Sequence, residues 1–342
     1  MGNGKMKIIV TLGPSTHSAD KVQAIKERGV TFVRTNMSHS TIEDLEYFIN
    51  LAKKYNIPFL LDTQGPQVRT GKFSLEPVHI KENDEVEIHR NSVPGDEKKF
   101  SLWPGEVILH LKEGDLIHFD GLLTLRVTDT QDISKKGYVR AYALTNGYIK
   151  GNKGVAIDSM HPSSYILPTL SEIDYKSIGV GLSNGVSAVA ASFMRNATDV
   201  HTVKEATKGK MLVFSKIECQ EALRNLDEII NASDMLIIDR HDLSKEIPRE
   251  KLLSTQKMII DRARSRGKDV FCASYILESM VTERTPSQHD VYGVLSAIEC
   301  GAQGFALSTE TTIGKYPIAA IDVLKELIEK SHQKITAKNT IL

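Results

Sequence analysis

Two stretches carry side chains that could do chemistry together, Lys216-Ile217-Glu218 and Asp239-Arg240-His241-Asp242. Each follows a short β-branched run, Val213-Phe214-Ser215 in one case and Ile237-Ile238 in the other. That is how a buried strand reads when it delivers polar groups to one rim of a parallel sheet. Lys216 and Glu218 share one sheet face by the two-residue period of a strand. Taken alone, a Lys-x-Glu at a strand end is more often a surface ion pair of little worth. Asp242, one strand-helix unit later, favours a common centre instead: carboxylate oxygens from two loops suit a hard divalent cation, and a lysine beside them suits an anionic substrate.

The elements that must position these residues follow a β/α rhythm. Lys7 to Gly13, Phe32 to His39 and Pro58 to Thr63 read as strands, with helices over Ser18 to Gly29 and Thr41 to Tyr55. From about Phe73 to Met160 the pattern changes to short alternating segments, such as Asp84 to Arg90, Asp115 to Thr128 and Gly137 to Leu144, separated by turn residues. Beyond Pro162 the rhythm resumes. Strands are expected over Ser187 to Phe193, Met211 to Ile217, Met235 to Arg240, Asp269 to Ser274 and Gly304 to Ser308. Helices are expected over Ser171 to Leu182, Ala197 to Ala206, Glu221 to Asn231, Arg249 to Arg266, Ser287 to Cys300 and Pro317 to Ser331. Eight strand-helix units predict an α/β fold, a (β/α)8 TIM barrel built from residues 1–72 and 161–342. A small all-β domain, residues 73–160, interrupts it after the third strand as a lid. Functional residues of such a barrel gather where strands end, here a polar ring that includes Arg34, Asn36, Ser38, Asp62, Thr63, Ser192, Lys216, Glu218, Asp239, Asp242, Ser274 and Glu310.

The 342 residues hold 43 Lys+Arg against 43 Asp+Glu, so no charge bias points to nucleic acid. The three cysteines, Cys219, Cys272 and Cys300, lie far apart and lack CxxC spacing, which argues against disulfides and structural zinc and for a reducing cytoplasm. Cys272, ending an apolar strand, is expected in the core. No apolar signal region follows Met1 and no apolar stretch is long enough to span a membrane, so neither export nor insertion is expected. No P-loop is present, leaving arginine, lysine and metal to bind phosphate.

In its ordered motifs the chain resembles the pyruvate kinase family. The matching pieces are Thr11-Leu12-Gly13-Pro14-Ser15, Arg34-Thr35-Asn36-Met37-Ser38-His39, Leu61-Asp62-Thr63-Gln64-Gly65-Pro66, Arg69-Thr70-Gly71 and Asp120-Gly121-Leu122-Leu123. Ala191-Ser192-Phe193-Met194-Arg195, Ser215-Lys216-Ile217-Glu218, Asp242-Leu243, Leu277-Glu278-Ser279-Met280 and Leu307-Ser308-Thr309-Glu310-Thr311 continue the series, which closes with Gly314-Lys315-Tyr316-Pro317. The resemblance implies phosphoryl transfer between phosphoenolpyruvate and ADP. It implies that Glu218 and Asp242 hold Mg²⁺ (or Mn²⁺) and that Lys216 neutralises the moving phosphoryl group. It also implies that Arg34 and Arg69 face phosphate, that Asn36, Ser38, Asp62 and Thr63 hold K⁺, and that Asn36 and His39 lie on the cofactor side. Ser274 stands where the family has a threonine near the enolate carbon, and His241 and Asp242 stand where it receives the substrate carboxylate. The chain ends at Leu342 without the family's C-terminal effector domain, so regulation through that domain is not expected. A homo-oligomer remains open.

The departures cluster near the site. His241 replaces a glycine and Asp239 a small residue where the family offers bare backbone N–H groups to a carboxylate, which is expected to alter what binds. Tyr275-Ile276 replaces Gln-Met, Ile173 and Ile313 replace lysines near the nucleotide, and Gln67 leaves the K⁺ requirement open. Two other readings stay alive: a metal-dependent 2-oxoacid lyase or aldolase acting through the same enolate, and a non-catalytic binding protein on this barrel. Beside them stand structural roles, with Arg34 and Arg69 as rim charges paired to Asp62, and Asn36, Ser38 and Thr63 as helix caps.

Overall fold

The computed structural model describes residues 6–119, 123–131, 133–158 and 167–339. The chain divides into two compact units, residues 1–65 with 169–342 and residues 66–168. The segment joining them differs from the sequence expectation of 73 and 160, because Val68–Thr70 pairs with Gly154–Asp158 and Lys99–Trp103 in the second unit.

The first unit is a closed, all-parallel barrel of eight strands, numbered here in chain order: β1 Lys7–Thr11, β2 Phe32–Asn36, β3 Phe59–Asp62, β4 Ala188–Ala191, β5 Leu212–Ile217, β6 Met235–Asp239, β7 Val270–Ala273 and β8 Gly304–Leu307. Each strand pairs with its neighbours in sequence order and β8 closes on β1. Strand positions match the sequence expectation to within a few residues. The α/β alternation forces this result, since every parallel neighbour needs a crossover and the apolar strands are buried on both faces.

The two-residue period explains what stands at the rim. Ile9, Phe32, Leu60, Ala188, Ala190, Phe214, Ile237, Phe271, Ala273 and Ala306 form the barrel interior. Their alternates, such as Val10, Val33, Leu61, Val189, Val213, Ile238, Cys272 and Leu307, pack against the helices. Two residues past each inward position comes Thr11, Arg34, Asp62, Ser192, Lys216, Asp239 or Ser308, so the polar ring is the last inward layer of the barrel. Cys272 is fully buried, as expected, and burial pushes its thiol up to about 11.

Helices are started by their own sequence. Thr41, Ser171 and Ser287 form capping boxes with Asp44, Asp174 and Asp290. The helices depart from expectation in places, and the last runs to Asn339 instead of Ser331. The helix expected over Glu221 to Asn231 is two, Gln220–Arg224 and Leu226–Ala232, broken at Asn225, whose side chain donates to the Arg195 carbonyl at 2.9 Å. A short helix, Arg240–Glu246, follows β6 directly because the Asp239 side chain caps it.

The second unit contains a seven-stranded closed barrel and a two-stranded sheet around its own core of Val86, Ile88, Phe100, Leu102, Ile117, Leu125, Val127 and Val139. Asp120, Gly121 and Leu122 of the motif quoted above lie outside the described residues. Among the described residues no helix is long and apolar enough to cross a membrane.

Candidate active site

Strand β5 carries Lys216 into the rim. Its ammonium lies 2.8 Å from Glu218 Oε1, 3.4 Å from Asp62 Oδ1 and 3.9 Å from Asp239 Oδ2, and donates to Ser192 Oγ at 3.1 Å. Burial alone would lower this lysine's pKa, but Asp62, Glu218 and Asp239 together outweigh it and hold the group well above its ordinary value. The carboxylates around Lys216 therefore favour its charged form.

Asp62, ending β3, is shared between two cations. Arg34 Nη1 approaches its Oδ2 at 3.1 Å while Lys216 faces its Oδ1. Arg34 donates further to Thr11 Oγ1 and Ser308 Oγ, both at 2.8 Å, so the guanidinium bridges three strands. The rim-charge reading of Arg34 thus has a real partner, and the pair is fully buried.

Glu218 is fully buried just past β5, with Oε2 accepting from the Phe193 backbone N–H at 2.7 Å. Burial pushes its carboxyl up to about 8; Lys216 opposes the shift, and Asp239 and Asp242 add to it. Oxygens of Glu218, Asp239 and Asp242 all lie within 4.8 Å of one another. A carboxylate driven toward protonation by burial, with two like-charged neighbours adding to the push, fits a divalent cation. The donor set is all oxygen, which suits Mg²⁺ or Mn²⁺.

Asp239 is the member of that cluster which sequence reasoning did not count as a ligand. Its Oδ1 accepts from Ser274 Oγ at 2.7 Å and from the His241 backbone N–H at 3.2 Å. Asp242 is held by Lys245 at 3.0 Å. The only available signal was the acidic side chain at a position where the family keeps a small one. His241 Nδ1 lies 2.7 Å from the Tyr275 hydroxyl, with the rings edge to face.

Ser274 and Tyr275, directly after β7, both have left-handed backbones, φ 59° and 51°. Arg240 holds them: Nε and Nη2 donate to the Ser274 carbonyl at 2.9 and 2.7 Å, and Nη2 donates also to the Tyr275 carbonyl. Burial lowers the Arg240 pKa. Sequence reasoning passed over this residue.

Thr63 Oγ1 accepts from the Ser192 backbone N–H at 3.0 Å, and Asn36 Oδ1 from the Ser38 N–H at 2.9 Å. The cap of the following helix is Thr41, so Asn36 and Ser38 are not helix caps. The backbone N–H of His39, an exposed residue, bonds to the Asn36 carbonyl. Arg69 belongs to the second unit, where its Nη1 donates to the Asn152 carbonyl at 3.0 Å. Ile313 is exposed, while Ile173 packs on the helical layer.

A family model for the barrel domain of pyruvate kinase matches residues 3–321. The chain is 31% identical to the pyruvate kinase of Sporosarcina psychrophila over 348 residues, covering 98% of this chain and 58% of that relative. It is 32% identical to the Staphylococcus aureus (strain MRSA252) pyruvate kinase over 333 residues, 94% of this chain and 56% of the relative. It is 30% identical to that of Geobacillus stearothermophilus over 348 residues. The chain spans a little over half the length of these relatives. Together with the closed eight-stranded barrel and its lysine-carboxylate rim, these matches make the chain a member of the pyruvate kinase family.

Proposed function

We propose that the protein is a Mg²⁺- or Mn²⁺-dependent phosphotransferase of the pyruvate kinase type, moving a phosphoryl group between phosphoenolpyruvate, or a close analogue, and ADP. The observation that carries this reading is the buried Lys216 ammonium, 2.8 Å from Glu218 beside three carboxylates that approach within 4.8 Å.

Glu218 and Asp242 would hold the metal, which supplies charge neutralisation and polarises a substrate oxygen. The work of the protein is electrostatic, as phosphoryl transfer requires. Lys216 keeps its proton through the cycle and offers a fixed charge to the moving group. Arg34, immobilised by Asp62, Thr11 and Ser308, adds a second fixed charge. Ser274 would pass a proton toward the enolate through a water. Asn36, Ser38, Asp62 and Thr63 would supply the oxygen set for K⁺, Asn36 and His39 would face the nucleotide, and Arg69 would face phosphate. The unpaired cysteines accord with a cytoplasmic setting. A coupled assay of ATP formation from phosphoenolpyruvate and ADP, with and without K⁺, tests the reading; no turnover under either condition together with no binding of ADP would refute it.

A second reading is favoured by Asp239 on Ser274 and by His241 on Tyr275, acid-base pairs beside the cluster. It is a lyase or aldolase of 2-oxoacids working through the same enolate. Metal-dependent exchange of pyruvate methyl protons, combined with failure to bind ADP, would select it.

A further inference from the structure

The donors beside the carboxylate cluster are already taken. The Ser274 hydroxyl and the His241 backbone N–H converge on one oxygen, Oδ1 of Asp239, at 2.7 and 3.2 Å. An oxygen of the same carboxylate lies within 4.8 Å of oxygens of Glu218 and Asp242. Asp239 is only 8% exposed and its other oxygen faces Lys216 at 3.9 Å. The side chain thus does what a ligand carboxylate would do at such a place: it takes the hydroxyl and the amide and sits against the cation position.

We propose that Asp239 occupies the carboxylate subsite of this centre from within the chain, so that the site selects phosphorylated ligands whose head group beside the metal is an uncharged carbonyl or hydroxyl instead of a carboxylate. This rests on the phosphotransferase reading above and names which analogue the site takes.

Charge leads to the same class. Asp62, Glu218, Asp239 and Asp242 at the rim are paired with Arg34, Lys216 and Lys245, so the resident carboxylates outnumber the cations even before a ligand enters. A divalent cation brings this set only slightly past neutrality. A ligand carrying both phosphate and carboxylate brings one more negative charge into this set than a phosphate with a neutral head, and places it against Asp239. To reach Ser274 and His241 it would also have to push Asp239 off both donors and leave a buried carboxylate without them. A ketone or alcohol head requires no displacement of Asp239 and brings one negative charge fewer to the same set. Discrimination of this kind comes from a repulsive element built into the pocket.

The test uses two probes of similar size, phosphoglycolate and hydroxyacetone phosphate, which differ in a carboxylate against a methyl ketone. Binding of each to the whole chain is measured by calorimetry with Mn²⁺ present and again without metal. The wild type is expected to bind hydroxyacetone phosphate at least about tenfold more tightly than phosphoglycolate. Asp239→Ala should shift that ratio by at least about tenfold toward phosphoglycolate. Asp239→Asn keeps the acceptor and the volume, guards against loss of fold, and should give a smaller shift in the same direction. A wild-type preference for phosphoglycolate, a ratio indifferent to both substitutions, or binding of neither probe would each overturn the proposal. Poor use of phosphoenolpyruvate is what this proposal expects; failure to bind ADP or ATP would count against the phosphotransferase reading while leaving this ratio measurable.

Discussion

Arg240 grips Ser274 by its carbonyl oxygen, with Nε at 2.9 Å and Nη2 at 2.7 Å, and so fixes, from the first residue of the helix after β6, the turn that follows β7. The two residues of that turn are non-glycine and left-handed, a conformation that costs about 1–3 kcal/mol each and persists only where its surroundings enforce it. Arg240→Lys offers a point charge in place of a fork and cannot span both carbonyls. We expect it to lower the melting temperature by several degrees and to reduce turnover at least about tenfold. Differential scanning calorimetry and initial rates check this, and wild-type values in both would dismiss the clamp.

Lys216→Met keeps the stem of the side chain and removes its charge. If the proposed phosphoryl transfer is the activity, turnover should fall by about 10²–10³-fold or more, the usual loss when one preorganised charge is taken from a transition state. Circular dichroism should remain native. Retained turnover in a folded variant would remove Lys216 from the mechanism.

Metal binding can be read without any reaction. Titration of Mn²⁺ followed by electron paramagnetic resonance should give at least about tenfold weaker binding for Glu218→Gln and for Asp242→Asn than for the wild type. Saturating Mn²⁺ should also raise the wild-type melting temperature, since a ligand at about 100 times its Kd contributes about 2.7 kcal/mol to stability. Equal affinities across the three proteins would move the metal elsewhere.

How far the sequence reaches is visible in single residues. Lys216 and Glu218 are two apart on one strand, and strand period alone puts them on one face. The eight strands were legible because each is a short apolar run between turn and cap signals. Asp239 was not legible as the acceptor for Ser274, because that partner is 35 residues away and only the register of β6 with β7 brings them together. Arg240 read as the end of a strand, whereas its neighbour's side chain caps a new helix there. Arg69 lies seven residues after Asp62, and that sequence proximity does not keep the two in one compact unit.

Glu310 supplies a pH test that is independent of metal. It follows β8, is 3% exposed, and its Oε1 has no hydrogen-bond partner among the described residues. Burial pushes its carboxyl above the ordinary 4.5, with backbone hydrogen bonds and Arg34 opposing. For a carboxyl raised on folding, the stabilising contribution is complete below the unfolded value and is lost as pH rises through the folded one. Glu310→Gln stays neutral throughout. Its melting temperature should therefore gain on the wild type as pH climbs from about 4.5, by a few degrees at neutrality. A pH-independent difference between the two proteins would show that Glu310 is not a strained buried acid.

One layer below Lys216 on the inward face of β5 is Phe214, edge-on to Phe32 at 5.6 Å and tilted against Phe271 at the same distance. These rings and the small residues around them form an insulating floor. Charges at the rim have this hydrocarbon beneath them, and a surrounding of low polarisability strengthens the interaction between Lys216 and its carboxylates. Much of the site's electrostatic strength is therefore set by hydrocarbon that bears no charge. Phe214→Ser, although it touches no reacting group, would act like a leak in a capacitor and weaken every ion pair above it together.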